Sequence, residues 1–474
     1  MARYQYDVTI IGGGSGGLTA ARLAHALGAR TCLVDKERLG GDCLHYGCVP
    51  SKSLIHVAKV VQQARSAARL GLAPAELKPD MGKVTAYVQG VIARAAEAEK
   101  AYTKGVDVRF GHFQFRGNHE GTLDGEPISS QSFIVATGSR PVVPNITGLA
   151  ETGYLTNEQA FDLQQLPPSL AVVGGGPIGV ELAQAFARLG SQVTLVQGPG
   201  RLLPKEDPEV SRAIAEALIR DGVTVVTGAR MQAVRREGDQ KVVVAKRGDD
   251  TIAVRAHEIL ISLGRAPNID GLQLEAAGVR YEAKGVAVDD YLATSARSVS
   301  AIGDVIGGYL FSHVAAYHAG VAVRNILLPV GKKKVGYDVL PWVTFTDPEA
   351  ARVGATEEEA IQQGQQVRVI RFPWSDIDRA QAEGETEGFI KLVLGAKNDT
   401  ILGAHIVGAH GGELLAEIAL AMKYKLGLDA IFSTTHAYPT LSTGLQQAAF
   451  EAYLESDSLK SARKLLGPVL SLRG

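Results

Sequence analysis

Two thiols in one short segment carry the first chemical signal of this chain. Cys43 and Cys48 stand in Gly40-Gly41-Asp42-Cys43-Leu44-His45-Tyr46-Gly47-Cys48-Val49-Pro50-Ser51-Lys52, a C-x4-C spacing that can close a disulfide and so take up and release an electron pair. The whole chain has only 3 cysteines, which makes a pair here informative. Pro50 marks the first turn of a helix, where a missing N–H leaves no bond unmade. The unpaired N–H groups of a helix start carry partial positive charge, and beside Cys48 they favour thiolate over thiol. Metal binding is the competing reading of the pair. No cysteine follows Cys48 to complete a zinc site, and a glycine fingerprint lies upstream, so no metal site is expected.

The elements that must position these thiols are written twice in the chain. Tyr6 to Ile11 reads as a strand, followed by Gly12-Gly13-Gly14-Ser15-Gly16-Gly17, a helical pattern over Ala20 to Leu27, and a closing strand at Leu33-Val34-Asp35. The second copy runs from Leu170 to Val173, through Gly174-Gly175-Gly176-Pro177-Ile178-Gly179, a helix over Glu181 to Leu189, and Leu195-Val196-Gln197. A constant offset of 162 (174 − 12) aligns Gly12 with Gly174, Gly14 with Gly176 and Gly17 with Gly179. In G-x-G-x-x-G the glycines permit a tight turn, close approach of a pyrophosphate and close packing of helix on strand, with the phosphates at the helix N-terminus. One such motif is weak evidence, but two in register, each in strand–turn–helix context, predict two dinucleotide sites. Asp35 can accept hydrogen bonds from ribose hydroxyls, which suits an FAD half. Gln197 holds the same offset in the second copy, and its neutral amide leaves NADH against NADPH open.

Composition narrows the class. The chain has 474 residues, 46% hydrophobic content and a formal net charge of −1. That length suggests about three domains. No long like-charge block points to nucleic acid or to a membrane surface, and the run Lys332-Lys333-Lys334 reads as a solvated turn. No apolar run approaches the ~20 residues of a membrane-spanning helix. No basic leader and cleavage site precedes the first strand, and few cysteines suit a reducing compartment, so a cytoplasmic protein is expected. Cys32, in an apolar run, is expected to pack in a strand.

Taken together these motifs resemble the class I flavoprotein disulfide reductases (the pyridine nucleotide-disulfide oxidoreductases), the family of dihydrolipoamide dehydrogenase, glutathione reductase and mercuric reductase. The resemblance runs nearly end to end. Ile134-Val135-Ala136-Thr137-Gly138-Ser139-Arg140-Pro141 is similar to the segment joining the FAD and NAD domains. Ile261 to Asn268, with Gly264, resembles the return crossing. Ala301-Ile302-Gly303-Asp304 resembles the motif whose aspartate binds the flavin ribityl chain. Pro341 to Gly354 resembles the start of the dimerisation domain. The resemblance implies an α/β fold with two Rossmann-like domains, for FAD and NAD(P), and a C-terminal α+β dimerisation domain. The expected boundaries are 1–148 and 271–340 for the FAD-binding and central domain, 149–270 for the NAD(P)-binding domain and 341–474 for the interface domain. It further implies FAD as cofactor, NAD(P)H as co-substrate, a homodimer, and an ion pair of Lys52 with Glu181 near flavin N5. In the implied mechanism Cys48 is the thiol nearer the flavin, and Cys43 meets a small-molecule electron acceptor.

The chain departs from the family at one place that matters. The usual C-terminal segment has a histidine immediately before proline and a glutamate five residues after that histidine, together an acid–base dyad for thiol protons. Here Thr435-His436-Ala437-Tyr438-Pro439-Thr440-Leu441-Ser442-Thr443 puts Tyr438 and Thr443 at those positions. An unperturbed tyrosine, with a pKa near 10, is a poor base at neutral pH. Weak reduction of lipoamide or glutathione disulfide is therefore expected, and His436 or His45 is the candidate replacement. Mercuric reductase also lacks the pre-proline histidine, but it carries a C-terminal cysteine pair that this chain does not have, so weak Hg(II) reduction is expected. Two alternatives stay open: dihydrolipoamide dehydrogenase, disfavoured by the lost dyad, and an NAD(P)H redox sensor with slow turnover.

Overall fold

The computed structural model describes residues 3–397 and 399–471. The first fingerprint folds as strand Tyr6–Ile11, helix Ser15–Ala26 and strand Thr31–Asp35. Val8, Ile10, Cys32, Leu33 and Val34 are all buried, as the interior of a parallel sheet covered on both faces demands. The parallel order is Asp107–Phe110, Thr31–Asp35, Tyr6–Ile11, Glu126–Val135, Val299–Ala301. The last of these strands arrives from far along the chain, so this domain is assembled from two separate stretches.

The second copy builds a four-stranded parallel sheet, Thr224–Val226, Gln192–Val196, Ser169–Val173, Glu258–Ile261, with helix Pro177–Leu189 after its own glycine turn. An antiparallel meander of Arg230–Glu237, Gln240–Arg247 and Asp250–Ala256 sits beside it. Both crossings between the two halves run together, since Ser139–Pro141 pairs antiparallel with Arg265–Pro267. The steric reason for the fingerprints is the same in both copies. A Cβ on Gly17 would strike the carbonyl oxygen of Gly12, and one on Gly179 would strike that of Gly174. Gly12 and Gly174 also hold φ of 109° and 115°, a region that disfavours residues with a Cβ.

The C-terminal part is a five-stranded antiparallel sheet, ordered Pro341–Thr344, Glu349–Gly354, Ile401–Gly408, Phe389–Gly395, Val367–Pro373. Helices Gly411–Lys423 and Thr443–Leu454 contribute to a core that includes fully buried Trp374. Two ionic clusters lock it to the second dinucleotide domain. Arg188 bridges Asp221 (2.8 Å) and Asp347 (2.7 Å). Lys391, 2% exposed, donates to Asp207 (2.8 Å), Glu209 (2.7 Å) and Glu357 (3.0 Å). Glu209 is held down to about 2, first by the Arg371 hydrogen bonds and then, against its own desolvation, by Lys391.

Removing a buried cation while leaving its carboxylates costs about 3–5 kcal/mol. Lys391→Met is therefore expected to lower stability by that order, measured by chemical denaturation, with Asp207 the stranded charge. The folded-state depression of Glu209 contributes stability that is complete above the ordinary carboxylate range and is lost as pH falls toward 2. Lys391→Met should flatten that acid limb.

Candidate active site

A cavity of about 2240 Å³ runs through the junction of the three parts. It is lined by both glycine turns, by Asp35, Cys43, Cys48, Lys52, Thr137, Gly138, Glu181, Gly264 and Asp304, and by residues of the C-terminal domain such as Trp342 and Phe345. This far exceeds the ~300–1,000 Å³ of a typical small-molecule pocket, and suits extended ligands. The middle glycines test the fit. A Cβ on Gly14 would have only Gly41 Cα nearby, at 3.8 Å, and one on Gly176 would meet nothing within 4 Å. Protein packing does not require glycine at these two positions, and the open space before them fits the approach of a pyrophosphate.

The strand ends mirror each other. Gly13 N–H donates to Asp35 Oδ2 (2.7 Å), and Gly175 N–H donates to Gln197 Oε1 (2.8 Å). Arg201 donates to the carbonyls of Pro204 (2.9 Å) and Glu206 (3.3 Å). Lys205 lines the cavity. At the other end, Thr137 Oγ1 donates to Asn268 O (2.7 Å), and Gly138 and Gly264 take φ of 70° and 113°. Asp304 accepts from Ser139 Oγ (2.6 Å), which in turn accepts from Arg265 Nε (2.7 Å). Burial raises the Asp304 carboxyl, opposed by Ser139 and Arg265. Arg265 also pairs with Asp42 (3.0 Å). Arg265, Ser139 and Asp42 were not singled out from the sequence, although each adjoins a residue or motif that was.

The thiols sit between two helices. Cys43 lies in the short helix Gly41–His45, and Cys48 is the first residue of helix Cys48–Arg65. Both are free thiols, the reduced form of the pair, with Cys48 exposed to the cavity and Cys43 half-buried. They are strongly polarised. Cys48 is pulled down to about 6, first by the hydrogen bond from Cys43, against desolvation, with the Ser312 hydroxyl and the Lys52 charge adding. Cys43 moves the opposite way, raised by its bond to Cys48 and by burial. Of the two sulfurs the negative charge therefore rests on Cys48, and the proton on Cys43.

One turn along the same helix, Lys52 Nζ meets Glu181 Oε2 at 2.9 Å and lies 4.3 Å from the centre of the Phe345 ring. The other oxygen of Glu181 accepts Phe345 N–H at 2.8 Å. The ion pair thus joins the thiol helix, the second fingerprint helix and the C-terminal domain.

The departing segment lies elsewhere in the subunit. Neither Tyr438 nor His436 lines the cavity. Tyr438 is 73% exposed, and its hydroxyl donates to Asp378 Oδ2 (3.0 Å), which raises the phenol above its ordinary range. His436 is enclosed, with Nδ1 against Thr434 O (2.8 Å) and Nε2 against Glu417 Oε1 (3.0 Å). His45 Nε2 is against Leu39 O (2.8 Å), and burial lowers that imidazole. The partners Asp378 and Glu417 carried no signal in the sequence, since they lie in helices 60 and 19 residues away from Tyr438 and His436.

Comparison with known proteins agrees with this layout. A family model described as pyridine nucleotide-disulphide oxidoreductase matches residues 6–320, and one for the dimerisation domain of the same name matches 340–449. The chain is 35% identical over 448 residues to a mercuric reductase of Staphylococcus aureus, covering 94% of this chain and 82% of that one. It is 34% identical over 470 residues to a dihydrolipoyl dehydrogenase of Bacillus subtilis (strain 168), covering 94% and 98%. Among solved structures, the HOCl-induced flavoprotein disulfide reductase RclA from Escherichia coli matches with a TM-score of 0.84 and 28% identity over 94% of this chain and 99% of that one. A Cu(II) complex of RclA matches with a TM-score of 0.83 and 28% identity, over 93% and 98%.

The polarisation has a direct readout. In reduced protein, thiolate absorbance followed against pH is expected to show a first step near pH 6 that vanishes in Cys48→Ser. In Cys43→Ala, which removes the donor, that step should move upward.

Proposed function

Because the chain belongs to the pyridine nucleotide-disulphide oxidoreductase family, we propose that this FAD-dependent, NAD(P)H-oxidising enzyme delivers its electrons through Cys43 and Cys48 to an oxidising metal ion, of the Cu(II) kind, rather than to an organic disulfide. Bound FAD would supply the two-electron relay between NAD(P)H and the Cys43–Cys48 disulfide. Gly12, Gly14, Gly17 and Asp35 would hold its ADP half, with Thr137, Gly138 and Asp304 along the rest. Gly174, Gly176, Gly179, Gln197 and Gly264 would receive the nicotinamide dinucleotide. Lys52, oriented by Glu181, would sit where negative charge accumulates.

The reduced pair, one thiol and one thiolate, returns to the disulfide by losing two electrons and one proton, enough to reduce two Cu(II) to Cu(I). Cys43, whose sulfur keeps its proton, would meet the acceptor. Reduction of an organic disulfide releases a thiolate that must be protonated, a step in which a positioned imidazole contributes about 10²–10⁴-fold. Reduction of a metal ion makes no such demand. The observation that carries the reading is the state of the Tyr438 segment. Its phenol is tied to Asp378 and raised, and the ring nitrogens of His436 are both occupied. In the homodimer that the dimerisation domain supports, Tyr438 would present a neutral hydroxyl to the acceptor while His436 positions the loop. The Cu(II) complex of RclA supports the choice of acceptor. The relationship to dihydrolipoyl dehydrogenases keeps lipoamide as the second candidate.

The test is NADH and NADPH oxidation against Cu(II), Hg(II), quinones, lipoamide and glutathione disulfide, with wild type and Cys43→Ser side by side. Rapid Cu(II) reduction lost in Cys43→Ser is expected, and rapid lipoamide reduction by wild type would overturn the proposal. Tyr438→His, which restores an imidazole before the proline, should raise organic disulfide reduction about tenfold or more.

A further inference from the structure

The first residue of a third helix reaches the redox pair. Helix Ser312–Leu327 begins with a serine whose Oγ lies 3.4 Å from Cys48 Sγ, although the two are 264 positions apart. The hydroxyl also acts on the Cys43 sulfur. It is the one uncharged donor facing Cys48 from outside the thiol segment and its helix among the groups that set its charge. The others are Cys43 and Asp42 from the preceding turn and Lys52 from the same helix, with Glu181 behind Lys52. Arg265 faces Asp42 rather than the sulfur. His313, the next residue of the serine's helix, is turned to Pro341 O (2.9 Å).

These groups differ in what they can do through a redox cycle. The Cys43 S–H donor exists only while the pair is reduced, because its proton leaves when the disulfide forms. The Lys52 charge is shared with Glu181. Asp42 opposes the thiolate. A serine hydroxyl keeps its proton in every state and can rotate to donate to whichever sulfur carries charge. A hydrogen bond to a charged acceptor is roughly twice as strong as one between neutral partners.

We propose that Ser312 is a catalytic residue of the redox pair, its hydroxyl holding the Cys48 sulfur as thiolate and so setting the ease with which the Cys43–Cys48 disulfide is reduced. Stabilising one thiolate of the product favours the dithiol form. The serine therefore biases the pair toward the reduced state, in which it can serve an acceptor. The inference rests on the reading of Cys43 and Cys48 as the electron-carrying pair.

The experiment is a pH titration of thiolate absorbance in phosphine-reduced holoenzyme, taken as a difference against Cys48→Ser protein. Ser312→Ala is expected to move the Cys48 step up by about one pH unit, the order of one lost charge-assisted bond. Ser312→Thr, which keeps the hydroxyl, should restore it, and Ser312→Val, of the same shape as threonine, should not. Equilibration of each holoenzyme with dithiothreitol buffers, read by thiol labelling, should show Ser312→Ala and Ser312→Val harder to reduce, each by about the same factor as the loss of thiolate. Unchanged midpoints in Ser312→Ala and Ser312→Val overturn the role of Ser312. Absence of a Cys48-dependent step in wild type overturns the underlying reading of the pair instead.

Discussion

The carboxylate of Glu181 is the point on which the arrangement turns. It is nearly buried, and a buried carboxylate is tolerated only when paired and hydrogen-bonded. Its two oxygens are satisfied by two different parts of the molecule, Lys52 of the thiol helix and the backbone N–H of Phe345 in the C-terminal domain. Glu181 itself belongs to the second fingerprint helix. None of the three parts can shift without stranding a charge or a polar group. Pairing with Glu181 also fixes where the Lys52 cation stands, one helical turn from Cys48, and the Arg188–Asp347 and Lys391 clusters hold the same two domains together away from the cavity.

The cation fixed in this way adds to an asymmetry that starts between the thiols themselves. Two identical side chains five residues apart acquire opposite tendencies first because Cys43 donates to Cys48, with the Ser312 hydroxyl and then the Lys52 charge adding on the Cys48 side. A thiol pair polarised this way favours thiolate at Cys48 and thiol at Cys43. The segment around Tyr438 lacks the matching proton-handling group. Tyr438 is engaged by Asp378, and both ring nitrogens of His436 are engaged, by Glu417 and by Thr434 O. The proposal of a metal-ion acceptor rests on this contrast between a polarised thiol pair and a segment whose imidazole has both ring nitrogens engaged.

The two fingerprints were legible in the sequence because their rule is local and steric. Gly17 against the carbonyl of Gly12, and Gly179 against that of Gly174, are contacts within a single turn, so the requirement survives in the spacing alone. The helix start at Cys48 and the buried strand at Cys32 were legible for the same reason, as proline placement and apolar runs act over a few residues. The pairing of Lys52 with Glu181 was reached only through family resemblance, since nothing local links positions 129 residues apart.

What the sequence by itself determined is the pair of glycine turns, the thiol segment at a helix start, and the absence of the histidine before Pro439. Tertiary structure decided the partners: Ser312 on Cys48, Arg265 between Asp42 and Ser139, Asp378 on Tyr438, and Glu417 on His436. A serine, an aspartate or a glutamate has no local signature that distinguishes a site residue from a solvated one. Its role arises only when packing of distant elements brings its one or two polar atoms within bonding distance of a group that burial has left in need of them.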